Sequence, residues 1–353
     1  MALQKTILVA PLHWGLGHAT RCIPVIRALL SHNFNVILAS DGAALILLQK
    51  EFPTLESIVL PSYNITYPRN EKLFKWALLL KLPQIQKTIA SEKKAINKLV
   101  SENRIDGIIS DNRLGVRSKK VPSAFITHQL NVLSGSTTFF SSKMHQKSIG
   151  KFDECWVPDT QQSPNLSGNL GHLKHTNLNI QYVGPLSRMQ KKNVPKRYDV
   201  LALLSGPEPQ RTLLEEKLIT EFKGKDLNVL LVQGILAEAQ KSSQLENITR
   251  VNFMDSAQLE TAINESDVIV SRSGYTTIMD LAAMEKKAFF IPTPGQYEQK
   301  YLAKRLKSLG LVPYCRQNDF TATRLSEIKS YKGLKDSGEL PNFTGLFRLF
   351  ERE

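Results

Sequence analysis

Short runs of branched apolar residues alternate along this chain with longer stretches of helical spacing, and turn residues separate the two. TILVA (residues 6–10) is the first such run, and the loop PLHWGLGH (11–18) follows it. Residues 19–31 then set Ile23, Ile26, Leu29 and Leu30 on one helical face. NVILA (35–39) comes next and closes with Ser40-Asp41-Gly42. A strand–loop–helix–strand order of this kind predicts a parallel, doubly wound sheet. Further buried strands are expected at 105–110, 122–126 and 154–158, the last of them ending the first half. A polar helix at 84–103 carries charge on its exposed face.

The pattern starts afresh after a charged run with a proline (191–197), which reads as a hinge. Residues 200–204 form a strand that ends in Ser205-Gly206-Pro207, with a helix from about Arg211. Strands at 228–233, 267–271 and 288–291 follow, with helices at 276–284 and 302–309. Thr276 or Thr277 is the expected N-cap of the 276–284 helix. At 353 residues the chain is long enough for two cores. The predicted fold class is α/β with two Rossmann-like domains, 1–187 and 198–339, and a tail (340–353) that packs back on the first.

Chemistry concentrates in DVIVSRSGYTTIMDLAAMEKKAFFIPTPGQYEQKY (267–301). The Ser273-Gly274 turn opens a helix, and unpaired N–H groups at a helix N-terminus attract an anion. Asp280, one turn in, is suited to ribose hydroxyls, and Glu298 with Gln299 to a sugar ring. In the first loop Gly15 and Gly17 let the backbone approach a bound group. They give only part of a dinucleotide fingerprint, because Thr20 stands where the third glycine belongs and His18 crowds a pyrophosphate. Asp111 ends the 105–110 strand, on the ligand side of an open α/β sheet.

SRSGYTTIMDLAA (271–283) resembles the C-terminal signature of the family 28 glycosyltransferases. The resemblance implies the GT-B arrangement, two Rossmann-like domains facing across a cleft. It also implies that Ser273, Gly274, Thr276 and Asp280 hold the nucleotide of a UDP-sugar, although the acid is usually Glu. The family's paired glutamines align with Gln299 and Lys300, while Glu298-Gln299 resembles the acid–Gln pair of other nucleotide-sugar transferases. Gly206 and Arg211 match a glycine-rich diphosphate loop in which Pro207 and Pro209 remove two donors. VNFM (251–254), with Phe253 and Met254, resembles the segment that reads uracil, and YVGP (182–185) resembles the linker strand. Arg272, Arg211 or Arg188 would add a guanidinium to the diphosphate.

On the acceptor side, Gly17 and His18 match a Gly-x-Gly-Gly-His loop whose His is a proposed general base. The resemblance gives Asp111 the role of orienting it, with capping of the next turn as the alternative. In THQLN (127–131), His128 and Asn131 match while Gln129 replaces the family's acid, which implies a different acceptor. The expected activity is inverting transfer of a hexose or N-acetylhexosamine from a UDP-sugar to an acceptor hydroxyl, lipid-linked or on an envelope glycan. No Asp-x-Asp pair is present, so metal independence is expected, with the UDP-sugar as co-substrate and no other cofactor. His172 and His175 lack a third ligand.

Charge adds one constraint. With 46 basic and 32 acidic side chains, the formal charge is +14, which favours an anionic partner. KLFKWALLLKL (72–82) reads either as a basic amphipathic segment at a lipid surface or as a buried helix rimmed by lysines. Three scattered cysteines show no disulfide framework. The expected location is cytoplasmic, peripheral on the membrane's cytoplasmic face. Two other functions compete. A UDP-N-acetylglucosamine 2-epimerase would consume its sugar without an acceptor, and a basic nucleic-acid-binding protein would shift DNA in a salt-dependent way without binding UDP.

Overall fold

The apolar runs form the strands expected of them, and their order places two reversal points along the chain. The computed structural model describes residues 4–63, 81–235, 237–335 and 341–351. Residues 72–80 of the basic amphipathic segment lie outside the described residues. The described chain divides into two compact units, 4–63 with 81–188 and 341–351, and 189–335.

The first unit contains strands β1 (Thr6–Pro11), β2 (Asn35–Ser40), β3 (Ser57–Val59), β4 (Gly107–Asp111), β5 (Ser123–Ile126), β6 (Glu154–Val157) and β7 (Ile180–Tyr182). They lie in the order β3-β2-β1-β4-β5-β6-β7 with every pairing parallel. Helices α1 (Gly17–Ser31), α2 (Gly42–Glu51), α3 (Leu82–Ser101) and α4 (Thr138–Ile149) connect them. Because β1 sits between β2 and β4, the strand order reverses there. The loops leaving β1 and β4 part to opposite sides and open a crevice at their carboxyl ends. Leu12 N–H donates to Asp111 O across that opening at 2.9 Å.

Several elements depart from the sequence reading. β7, not 154–158, is the last strand of the first unit. β3, α2 and α4 were not expected. β3 is only three residues long, and α2 (GAALILLQKE) has no clean apolar face. Helix α4 inverts the usual rule: it buries Ser142 and Ile149 while Phe139, Phe140 and Met144 stay exposed.

The second unit contains strands β8 (Tyr198–Leu203), β9 (Val229–Val232), β10 (Ser242–Leu245), β11 (Ile248–Val251), β12 (Ser266–Ser271) and β13 (Lys287–Phe290). Its helices are α5 (Gln210–Phe222), α6 (Ser256–Asn264), α7 (Tyr275–Ala283) and α8 (Tyr297–Ser308). The order is β10-β11-β9-β8-β12-β13, parallel except for the β10–β11 edge hairpin. That hairpin and α6 are additions to the sequence reading. The reversal falls between β8 and β12, so the Ser205-Gly206 loop and the Ser273-Gly274 turn share one opening. The expected N-cap at Thr276 or Thr277 is replaced by Gly274, which caps α7 without a side-chain bond.

Helix α9 (Phe343–Glu351) packs on the first unit. Phe347 and Phe350 are 1% exposed and stand edge-on or tilted to Phe34 and Trp156. Gly107 admits this contact, since a Cβ there would lie 2.5 Å from a Phe350 ring carbon. Lys5 Nζ donates to Phe350 O at 2.8 Å.

Residues 191–197, expected to be the hinge, are fastened to the second unit instead. Gln190 N–H donates to Glu260 and Lys192 N–H to the Asn264 side chain, both at 2.9 Å, and Lys191 pairs with Glu285. Lys196 and Lys286 share the carbonyls of Asn264 and Ser266. Burial first, then the Lys196 hydrogen bond and charge, drives the Lys286 pKa down to about 7; Asp267 opposes this and Lys191 adds to it.

Two expectations follow from this packing. Phe350→Ala should lower stability by about 3–5 kcal/mol, measured by urea unfolding followed through Trp156 fluorescence. Lys286 has a folded pKa below the roughly 10.4 of the unfolded chain, so the unfolded state binds more protons between those values. Stability should therefore rise as pH climbs from about 7 toward 10, and Lys286→Met should remove that rise in chemical denaturation across the range.

Candidate active site

The carboxyl edge of the first sheet gathers charged side chains that are rarely buried. Helix α1 begins at Gly17, two residues earlier than expected, so His18 lies in its first turn and Arg21 opens the second. Gly15 has φ +89, and the left-handed turn it makes leads the chain from β1 into α1. Asp111, fully buried, ends β4 opposite this turn. His18 Nδ1 lies 2.7 Å from Asp111 Oδ1, and Arg21 grips the same carboxylate with Nε and Nη2, both at 2.5 Å. Burial alone would raise the Asp111 pKa. The Arg21 charge, the His18 ring and the hydrogen bonds from both outweigh it and hold the carboxyl well below the usual range.

Arg21 Nη2 and the Asn112 amide nitrogen also approach His18 Nδ1, at 2.9 and 3.4 Å, but the carboxylate is the nearest partner and only accepts, so the matched arrangement puts a proton on Nδ1 and leaves Nε2 with its lone pair. The His18 side chain is 18% exposed. That combination, a buried acid behind a partly exposed imidazole, gives the arrangement expected of a general base. Arg21 Nη1 extends further to His128 Nδ1 at 2.8 Å, joining the loop after β5 to the same cluster. Asn131 is used differently: its side chain donates to Asn169 O at 2.5 Å and braces the 168–170 turn.

A second buried guanidinium steadies the edge from beneath. Arg113 donates to the carbonyls of Pro11 and Pro61 and pairs with Asp41 and Glu92. It thereby fixes the carboxyl ends of β1 and β2. Burial pushes the Glu92 pKa up, against the pull of Arg113 and of the Tyr63 hydroxyl.

At the edge of the second sheet, three of the expected segments meet. Ser273 Oγ donates to Gln299 O, and Thr293 N–H donates to Gln299 Oε1, each at 2.8 Å. The Gly206 turn, φ +104, faces Thr293: a Cβ on Gly206 would lie 3.8 Å from its hydroxyl. The Ser205-Gly206 loop, the start of α7 and the start of α8 are thus held around one corner, with the N-termini of α5 and α7 opening on it. Asp280 is buried on α7, Thr276 lies in its first turn and Glu298 in the first turn of α8. Phe253 and Met254 occupy the loop between β11 and α6 on the same edge. There the Phe253 carbonyl accepts from Gln240 and its N–H donates to Asn252.

The arginines expected on a diphosphate have other partners. Arg272 donates through Nη1 and Nη2 to the carbonyls of Ile291, Pro292 and Gln210 and to the Gln317 side chain. Burial pushes its pKa down to about 9. Arg211 bonds Glu208, Glu215 and Thr212. Both act as struts between strand and helix ends, where backbone carbonyls and carboxylates supply the acceptors. Arg188 closes the first unit. The residue the sequence reading missed is Arg21; its signal was a basic residue three positions after His18 on a helix start.

Residues 208–332 match the model of the Glycosyltransferase family 28 C-terminal domain. The whole chain is similar to an uncharacterized glycosyltransferase of Methanosarcina acetivorans, 22% identical over 96% of both proteins. It is also similar to the UDP-N-acetylglucosamine–N-acetylmuramyl-(pentapeptide) pyrophosphoryl-undecaprenol N-acetylglucosamine transferase of Haemophilus ducreyi. That match is 22% identical, over 61% of this chain and 59% of that enzyme, so the chain spans under two thirds of its length. Among solved structures, the kitacinnamycin glycotransferase aligns with a TM-score of 0.62, 14% identical, over 99% of this chain and 96% of that one. Acinetobacter baumannii MurG aligns at 0.56, 16% identical, over 99% and 100%. With a family 28 domain in its second unit and two Rossmann-like units in all, the chain is a glycosyltransferase of the GT-B fold.

Proposed function

We propose that this glycosyltransferase moves a hexose or N-acetylhexosamine from a UDP-sugar to an acceptor hydroxyl, with inversion and without a metal ion. The observation that carries the reading is His18, partly exposed, with Nδ1 on the buried Asp111. Its Nε2 takes the proton from the acceptor hydroxyl as that oxygen attacks the anomeric carbon. The bond from that carbon to the diphosphate oxygen breaks in the same step, and one displacement inverts the centre. Asp111 holds the ring and stabilises the imidazolium that forms.

The leaving diphosphate is the charge that needs an acceptor site. The N-terminus of α7 at the Ser273-Gly274 turn supplies N–H groups and a positive dipole end for it, with the Ser205-Gly206 loop beside it, whereas at the start of α5 the Thr212 N–H is already capped by Glu208. Asp280 accepts from the ribose, and Glu298 with Gln299 contacts the hexose. Helix ends can carry the diphosphate charge in place of a cation. A lipid-linked acceptor is supported by the pyrophosphoryl-undecaprenol in the name of the bacterial relatives. Such an acceptor would bring the enzyme to a membrane surface through its positive charge. No helix among the described residues is long and apolar enough to cross a membrane. Gln129, in place of the acid in the family pattern, supports a different acceptor head group.

His18→Ala should cut turnover at least about a hundredfold while calorimetric affinity for UDP stays within about twofold. Loss of UDP binding in that variant would overturn the assignment of His18 to the acceptor side. Transfer from a panel of nucleotide-sugars, scored by thermal shift and product formation, should persist in excess chelator. Strict dependence on added manganese would overturn the metal-free reading.

A further inference from the structure

Arg21 is 1% exposed and uses three nitrogens on three different side chains. Nε and Nη2 hold the two oxygens of Asp111, and Nη1 reaches His128 Nδ1 at 2.8 Å. Nη2 also lies 2.9 Å from His18 Nδ1. The consequences follow from what each group can do. A guanidinium only donates, so His128 Nδ1 is the unprotonated nitrogen and its ring proton sits on Nε2. At His18 Nδ1 an acceptor and a donor compete: the contact to Asp111 Oδ1 is the shorter, 2.7 Å against 2.9 Å, and Nη2 is already held by that same oxygen at 2.5 Å, so the carboxylate decides and His18 carries its proton on Nδ1 and its lone pair on Nε2. One ion pair therefore holds two neighbouring histidines in opposite tautomers.

We propose that Arg21 is the positioning residue of the transfer site, setting His18 as the proton acceptor and His128 as an Nε2–H donor through a single guanidinium. This rests on reading His18 as the base. The planar fork is essential to it. A lysine ammonium in the same place is a point charge on a flexible stem and cannot meet both Asp111 oxygens and the His128 ring in fixed directions. The (i, i+3) spacing of His18 and Arg21 at the start of α1 keeps base and fork on one face, so they move as a unit. His128 comes from the loop after β5, and the same fork ties that loop to the β1–α1 turn.

The test uses the full-length chain labelled with 15N, in long-range 1H–15N spectra that distinguish pyrrole-like from pyridine-like ring nitrogens. Wild type should show a pyridine-like Nε2 in His18 and a pyridine-like Nδ1 in His128. Arg21→Lys, folded by circular dichroism, should lose the His128 preference and lower kcat at least about thirtyfold, with the donor KM within about twofold. Guanidinium added to Arg21→Ala should restore part of the lost turnover, and methylammonium at equal concentration should not. Matching tautomers in the two wild-type histidines would overturn the proposal without any variant. So would an Arg21→Lys protein that keeps both tautomers, or one that loses them with kcat unchanged. The spectra need no sugar donor; if His18→Ala left transfer intact, the base assignment would fall while the tautomer result stood on its own.

Discussion

A fully buried carboxylate at the end of β4 sets the terms for the first unit. Removing an ion of that size from water costs several kcal/mol, and a single partner at modest geometry does not offset it. Asp111 is retained because Arg21 meets it with two parallel N–H bonds and His18 adds a third. Satisfying the acid requires the α1 start and the β4 end to be in register, and the same guanidinium ties in the loop after β5. The arrangement that makes a buried charge tolerable also orients an imidazole toward solvent. Stability and chemistry have one cause here.

The location follows from strand order. An open parallel sheet offers a crevice only where successive connections part to opposite faces. In the first unit that place is between β1 and β4, and His18 and Asp111 come from the two segments leaving it. In the second unit it is between β8 and β12, and the Gly206 and Ser273-Gly274 turns come from the corresponding pair. Each unit thus repeats one solution with different side chains. The first supplies a titratable pair, and the second supplies backbone donors at helix starts.

Arginine serves both units in a way that charge alone does not suggest. Arg21, Arg113 and Arg272 are all at most 1% exposed. Arg113 and Arg272 reach carbonyls at several strand and helix ends, groups that helices and sheets leave unpaired, while Arg21 joins one strand-end carboxylate to two histidine rings. Part of the +14 is therefore interior scaffolding. The lysines of residues 191–197 do comparable work, tying that segment to the C-terminus of α6 and to the β13 side of the second unit.

Amino-acid order alone determined the α/β class, the two repeated halves and the loops that matter. Buried parallel strands are continuous apolar runs with glycine or serine punctuation, as at TILVA and DVIVS. The family resemblance added His18, and local pattern also found Asp111, Ser273, Gly274 and Gln299 as residues to watch. It could not find β3 or the β10–β11 hairpin, which are short and held by neighbours, nor α4, whose apolar side chains face outward. Nor could it tell which cations are available to a ligand. Arg272 and Arg211 looked like phosphate ligands because the chain shows only their charge, while partners such as Gln317, 45 positions away, appear only on folding. Arg21 was passed over for the same reason: its partners Asp111 and His128 lie 90 and 107 residues distant. A hydrogen bond is decided by distance and direction in space, and sequence carries that information only for neighbours within a helix turn or a strand.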